Sequence, residues 1–352
     1  MIYDCFTFFN ELDLLEIRLN VLKDVVDRFV LVESPWTHTG DPKPLFFKLN
    51  KARYEMFSSH IIHVVVDDFP PPRPKMTERN RAWINENFQR NAISRGLVGA
   101  HDDDIVLISD LDEIPNPEMV AKFAHTPGIK VFNHAYYSFY LNWRNVRQFK
   151  WLGTRMLSYS DYRTVFDGVS VFYNEFMQRE VNVGTTATKI RCRFVPKRKA
   201  RTRIVNKGGW HFTCLGGVEV MLAKLNACAP HHGDGRDSDD TNRERVEKLI
   251  RQGKGPGLKM NCFAVPMDGR FPRFIVENKE RWGKFIFPVT SRYRRRVACA
   301  RVFRTIQGAS IAAIEWLLPR SWHAELHKWR MRVRRDLRRG HQQSARDASA
   351  DG

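Results

Sequence analysis

The sequence predicts an α/β protein: a mixed, mainly parallel sheet flanked by helices, with a basic helical C-terminal extension. Three observations predict it. The first hundred residues alternate short apolar runs with stretches of helical spacing, the order expected of a sheet with mainly parallel strands. The very apolar run Ile105 to Ser109 leads straight into a cluster of acids. From Thr290 to Gly340 there are 14 Lys/Arg against 3 Asp/Glu, whereas Met1 to Val289 carries 43 against 34 over a far longer stretch.

In chain order, Tyr3 to Phe9 is a short apolar run ending at Asn10, and Leu12, Leu15, Ile17 and Leu19 to Val25 follow helical spacing. Arg28 to Val32 is a second strand that closes on Glu33-Ser34-Pro35. Trp36 to Pro44, with Gly40, Pro42 and Pro44, is a loop just past a strand end, the edge where open α/β sheets bind ligands. His60 to Val66 is a third strand, Phe69 to Pro74 a proline-rich connector, and Arg81 to Arg95 a helix holding Glu86, Gln89, Arg90 and Asn91. The fourth strand, Ile105 to Ser109, is entered through Asp102-Asp103-Asp104 and left through Asp110-Leu111-Asp112-Glu113-Ile114-Pro115. Lys130 to Phe194 is dense in aromatics and holds several strands. Trp210 to Gly217 reads as a short glycine-bounded aromatic segment; Val218 to Ala227 and Thr241 to Ile250 read as helices, with the polar loop Asp234 to Asp240 between them. The resulting organisation is an α/β domain over 1–289, a basic amphipathic helical extension over 290–340 and a disordered tail over 341–352.

With 352 residues, 43% of them hydrophobic, the chain buries a sizeable core. Its six cysteines, at 5, 192, 214, 228, 262 and 299, form no C-x-x-C pair, which argues against a zinc knuckle or a dense disulfide framework. Met1 leads directly into the first strand without a basic and apolar leader, and no run approaches membrane-spanning length. The expectation is a cytoplasmic protein. The net charge of +19 points to an anionic partner, but its concentration outside the α/β region disfavours nucleic acid.

An apolar strand that delivers Asp110 and Asp112 at alternate positions places two carboxylates where a buried sheet meets solvent, and burying either one unpartnered is costly. Mg²⁺ or Mn²⁺ supplies such a partner, taking one or two protein carboxylates and completing its shell with phosphate oxygens and water. A metal in that position acts as a Lewis acid on the phosphate that departs when a sugar nucleotide is cleaved. The competing reading is that both aspartates cap the following helix, since Asp favours helix N-termini and Pro115 suits a turn.

The blocks Phe8 to Arg18, Val32-Glu33-Ser34, Thr37-His38-Thr39-Gly40, Gln89-Arg90-Asn91, Ile108 to Pro115 and Gly209-Trp210-His211-Phe212 together resemble glycosyltransferase family 17, from about Ile2 to about Pro288. The resemblance implies a GT-A-like fold, a UDP-GlcNAc donor, a divalent metal, a glycan or glycolipid acceptor and inversion at the anomeric carbon. It also implies that His211 completes a metal shell with Asp110 and Asp112, against the competing reading of a buried core histidine. Donor contacts are expected from Asn10, Glu11, Glu33, Arg90 and Asp110. Glu11 serves equally as a helix N-terminal acid, and Arg90 equally as a solvated helix residue. Inverting transfer needs a carboxylate to take the acceptor proton. Glu113, with Asp110, is the catalytic candidate, although Glu113 could instead anchor the turn, and Glu175, Glu219 and Asp234 are rivals.

His231-His232 reads as a surface loop rather than a metal pair, and Lys197 to Arg203 as a charged face. In the extension, Trp322, Leu326, Trp329, Val333 and Leu337 recur at helical spacing between arginines, suiting peripheral contact with an anionic membrane at its inner face. Competing classes are a metal-dependent phosphohydrolase or glycosidase and a basic nucleic-acid-binding protein.

Overall fold

Strands β1 (Ile2–Thr7), β2 (Arg28–Glu33), β3 (Ile61–Val65) and β4 (Ile105–Asp110) are parallel neighbours in the spatial order β3-β2-β1-β4. They come from a computed structural model that describes residues 1–72, 77–145, 151–164, 172–174, 179–181, 187–192, 202–227, 243–251 and 262–289. Chain contacts divide into two compact units, Met1–Pro288 and Val289–Gly352. The extension 290–340, the tail 341–352, Glu175, Asp234 with its loop, His231-His232 and most of Lys197 to Arg203 lie outside the described residues.

The chain moves outward from β1 to β3 and then returns to β4 on the other side of β1, so the strand order reverses between β1 and β4. The carboxyl ends flanking such a reversal form the natural ligand crevice of an open α/β sheet. Residues 105–109 of β4 are buried throughout, as expected of a strand covered on both faces. Val106 and Ile108 pack with Cys5, Val30, Ile93 and Leu97; Ile105 and Leu107 pack with Val120, Phe123 and Met156 on the other side.

Beyond β4 the sheet continues with antiparallel partners. These are β6 (Ile129–Ser138), β7 (Trp143–Asn145), β8 (Trp151–Ser158) and β12 (Cys262–Ala264), in the order β12-β7-β6-β8-β4, while β5 (Glu113–Pro115) lies off this path. A separate hairpin pairs β9 (Phe172–Asn174) with β10 (Arg179–Val181). The long strand β11 (Thr202–Thr213) runs parallel to β6 and antiparallel to β5. Flanking helices are α1 (Leu12–Leu22), α2 (Phe46–Leu49), α3 (Glu78–Asn91), α4 (Pro117–Phe123), α5 (Tyr159–Thr164), α6 (Ala187–Cys192), α7 (Val218–Ala227), α8 (Arg243–Arg251) and α9 (Arg273–Glu277). The architecture is the mixed α/β sheet that the sequence predicts, parallel through its first four strands.

Three elements differ from expectation. Helix α3 starts earlier than Arg81, capped by the Thr77 hydroxyl, which accepts from the Asn80 N–H at 3.2 Å. It gives way to a 3₁₀ turn, Ala92–Leu97, whose Gly96 lies so close to Val30 that an added Cβ would sit 2.3 Å from its Cγ1. Trp210 to Gly217 is not a short isolated segment, because its first four residues, Trp210 to Thr213, finish the twelve-residue β11. Within β11 lies the pair Gly208-Gly209, and glycine inside a strand often marks close backbone approach. Here the pair lets β11 squeeze between β5 and β6. A Cβ on Gly208 would lie 2.7 Å from the Asn133 nitrogen, and one on Gly209 (φ +146°) would lie 2.1 Å from the Ile114 carbonyl oxygen.

Gly209 therefore sets how closely β11 approaches the acidic turn. Gly209→Ala is expected to lower the free energy of unfolding by about 2–4 kcal/mol through overpacking and backbone strain. Denaturant titration of the two proteins checks this; equal midpoints would show that the strands separate without penalty.

Candidate active site

Asp4 lies in the middle of apolar β1 and Arg18 on the buried face of α1, and both are fully buried. The guanidinium grips the carboxylate with two hydrogen bonds of 2.7 Å, from Nε and Nη2. Its Nη2 also donates to Ser109 Oγ at 2.6 Å, and its Nη1 donates to the carbonyls of Asp110, Leu111 and Glu113, each at 3.0 Å. One planar five-donor group thus fixes both the strand end and the backbone of the acidic turn.

Glu113 braces the same turn from its other side. Its carboxylate is wholly buried and accepts from the Trp151 indole N–H at 2.6 Å, from the backbone N–H of Asp110 at 3.1 Å, and from Arg191. The helix that follows is capped by Asn116, whose Oδ1 accepts from the Glu118 N–H at 3.0 Å. Asp110 and Asp112 therefore do not cap it. They face a cavity of about 330 Å³ bordered also by Glu11, Glu86, Arg90, Tyr136, Trp151, His211 and Lys224.

Within the cavity each aspartate has cationic partners. Asp110 lies 3.1 Å from Arg90 Nη2 and 3.4 Å from Arg191 Nη2. Burial would raise its pKa, but the two arginines hold it below the ordinary carboxylate value. Asp112 Oδ2 lies 3.0 Å from Lys224 Nζ and 3.4 Å from His211 Nε2. Burial opposes ionisation there too, and Lys224 and His211 outweigh it, keeping the carboxyl well below its usual range.

His211 pairs with Glu113 and Tyr136 across β5 and β6, which brings its ring beside the acidic turn. The imidazole lies against Tyr136, with ring centroids 4.6 Å apart, and against Trp151 at 4.3 Å; those two rings are 5.1 Å from each other, so the three form one cluster. Both rings are nearly parallel to it. His211 is thus buried in an aromatic stack and also addressed to Asp112, so each sequence reading describes one side of it.

Of the expected donor-binding residues, the structure gathers Glu11, Arg90 and Asp110 at the cavity. Arg90 is a buried residue held by Glu86 at 2.7 Å, not a solvated one. Glu11 stands at the N-cap position of α1 without a side-chain capping bond, and its Oε1 meets Lys224 at 3.2 Å. Glu33 is turned away into the core, where it accepts from the Phe47 N–H at 3.0 Å and contacts His63 Nε2 at 3.1 Å. Asn10 does not border the cavity; its backbone N–H donates to Glu11 Oε2 at 3.2 Å. The rival base Glu219 is exposed and paired with Arg243.

Sequence reasoning missed the roles of Arg18, Tyr136, Trp151, Arg191 and Lys224. Arg18 had a signal: a basic residue among the apolar positions of α1, matched by a single acid inside apolar β1. Arg191 and Lys224 had none, because α6 and α7 are far from the acidic turn in sequence.

Residues 1–167 match the model of the family described as Glycosyltransferase family 17. That segment carries the family's sequence, so the resemblance is borne out there; the match stops short of the Gly209 to Phe212 block. The β-1,4-mannosyl-glycoprotein 4-β-N-acetylglucosaminyltransferases of Homo sapiens and Rattus norvegicus are each 36% identical over 112 residues, covering 30% of this chain and 20% of theirs. The alignment thus spans one fifth of the length of these curated relatives. Among solved structures, the glucosyl-3-phosphoglycerate synthase of M. tuberculosis overlaps 78% of this chain and 91% of its own at 14% identity, with a TM-score of 0.28. Nothing about function follows from that overlap.

The Arg18 fork is expected to matter more than its charge. Arg18→Lys keeps the charge but loses the planar donors that hold three carbonyls, and unfolding free energy should fall by about 2–4 kcal/mol, near the 3–5 kcal/mol typical of breaking a buried pair. Chemical denaturation measures it. A loss below about 1 kcal/mol would mean that the turn holds itself.

Proposed function

We propose that this protein transfers N-acetylglucosamine, or a related sugar, from a UDP-sugar to a glycan or glycolipid acceptor, with inversion and with Mn²⁺ or Mg²⁺ assisting, in a GT-A-like catalytic domain. The observation that carries the reading is the meeting of Asp110, Asp112 and His211 with Arg90, Arg191 and Lys224 at the strand-order reversal. The family match over residues 1–167 and the names of the aligned relatives support the sugar-transfer class.

The donor set suits a hard divalent cation. Asp112 Oδ2 and His211 Nε2, 3.4 Å apart, are near the spacing of neighbouring ligand atoms on one ion. Among the described residues no group of three or more His, Cys, Asp or Glu side chains is gathered to hold a metal. Mg²⁺ and Mn²⁺ commonly take one or two protein carboxylates and fill the shell with diphosphate oxygens and water. When bound, the cation supplies Lewis acidity to the departing diphosphate. A bound metal would take His211 through Nε2, and Arg90 on the cavity wall presents planar donors to phosphate oxygens.

The acceptor hydroxyl must lose its proton as it attacks the anomeric carbon. Asp110 has 37% of its side chain exposed, against 9% for Asp112 and 11% for Glu11 and Glu86, so it is the cavity carboxylate open to an acceptor. Glu113, sealed beneath the turn, takes the anchoring role.

Calorimetry with Mn²⁺, comparing UDP-sugars with GDP- and CDP-sugars, tests the donor. UDP-GlcNAc is expected to bind and to require the metal. Asp112→Asn should reduce metal-dependent binding and turnover by about 100-fold or more while the protein stays folded. Normal turnover by the Asn variant, or by wild type in EDTA, would remove the metal from the mechanism.

Peripheral membrane contact by the basic extension belongs to the same proposal. Among the described residues no helix is long and apolar enough to cross a membrane. Arginines between Trp322 and Leu337 would meet anionic headgroups, each worth about 1 kcal/mol near the surface. The full chain should sediment with phosphatidylserine vesicles at low salt and be released at high salt. Indifference to the vesicles would end this reading and leave the donor site untouched.

A further inference from the structure

The four carboxylates bordering the cavity, Glu11, Glu86, Asp110 and Asp112, meet three cations on its wall, Lys43, Arg90 and Lys224, while Arg191 behind Asp110 is offset by Glu113, which leaves the wall within one charge of balance. The cavity therefore starts close to neutral. A sugar nucleotide with two charges on its diphosphate, arriving with a divalent cation, leaves that balance unchanged. Cleavage does not. As the bond from the anomeric carbon to phosphate oxygen breaks, its electron pair stays on the oxygen; the acceptor oxygen bonds the carbon and its proton passes to a carboxylate. The nucleotide then carries one more negative charge than before. A group that stabilises that increment acts on the transition state more than on the bound donor.

We propose that Lys224 is that group, a reading that rests on the UDP-sugar donor above. Its Nζ stands 3.0 Å from Asp112 Oδ2 and 3.2 Å from Glu11 Oε1, with 16% of the side chain exposed. It is thus held at the wall beside the proposed metal ligand, not out in solvent. The mounting is firm. The chain turns into α7 through Cys214 (φ +53°), Gly216 (φ +111°) and Gly217 (φ +81°), and Met221 and Leu225 are buried on either side of Lys224 in sequence. The Cys214 thiol donates to Met221 Sδ at 3.2 Å, tying the turn to the helix.

The other cations are placed for other work. Arg90 is clamped by Glu86 and Asp110, Arg191 bridges Asp110 and Glu113, and Lys43 lies 5.5 Å from the ring centroids of Phe9 and Phe46. Among the described residues, Lys224 is the lysine or arginine that hydrogen-bonds Asp112, at 3.0 Å, beside His211 at 3.4 Å. A compact ammonium on a flexible four-carbon stem can move from the carboxylates to a nearby phosphate oxygen as charge builds there, which a clamped planar guanidinium does less readily.

The test compares UDP with UDP-GlcNAc on wild type, Lys224→Met and Lys224→Arg by calorimetry with saturating Mn²⁺, alongside kcat. In the Met variant, UDP affinity should fall about tenfold more than UDP-GlcNAc affinity, and kcat by about 100-fold, the scale seen when one donor to a developing charge is removed. The Arg variant should recover most of the UDP affinity. If the Met variant does not fold, Lys224→Gln, which keeps a hydrogen bond to Asp112, carries the same comparison. Equal losses for the two ligands, or no loss for either, would make Lys224 a structural counterion and overturn the proposal while leaving the donor reading intact. Wild type that binds neither ligand overturns both.

Discussion

A guanidinium sealed in the protein interior organises the site. Arg18 answers the buried charge of Asp4 and spends its remaining donors on Ser109 and three carbonyls of the acidic turn. A turn carrying two aspartates and a glutamate within four residues would otherwise repel itself and leave buried carbonyls unpaired. Because the same group touches α1, β1 and the end of β4, the turn is locked to the sheet rather than to its own loop.

Around that lock the charges divide by depth. Glu113 and Arg191 meet beneath the turn, where their role is to hold it. Asp110, Asp112, Arg90 and Lys224 meet at the cavity wall, where opposite charges are pre-paired and can be exchanged for ligand charges with little reorganisation. His211 joins the two levels: stacked on Trp151, which bonds Glu113, it presents its other edge to Asp112. The strands that deliver these groups come from both halves of the sheet, and the Gly208-Gly209 pair lets β11 approach closely enough for His211 to take part.

What the sequence determined by itself is the local layer. Alternation of apolar runs and helical patterning fixed the α/β class, since period and burial are properties of neighbouring residues. The apolar β4 ending in acids located the edge where the cavity lies, because charges at the end of a buried strand must emerge at a surface or find partners. Asp110, Asp112, His211, Glu11 and Arg90 were all legible in this way or through the family resemblance. Only tertiary structure could decide which residues meet. Glu33 follows a strand as a donor contact would, yet it turns into the core to pair with His63. Glu113 sits in the acidic run, yet it is consumed in holding the turn. Lys224 and Arg191 lie 112 and 81 residues from the aspartates they contact, and no local pattern marks them. Their part in the site depends on where α6 and α7 pack against the sheet, and that is set by the summed burial of many side chains rather than by any motif the two residues carry.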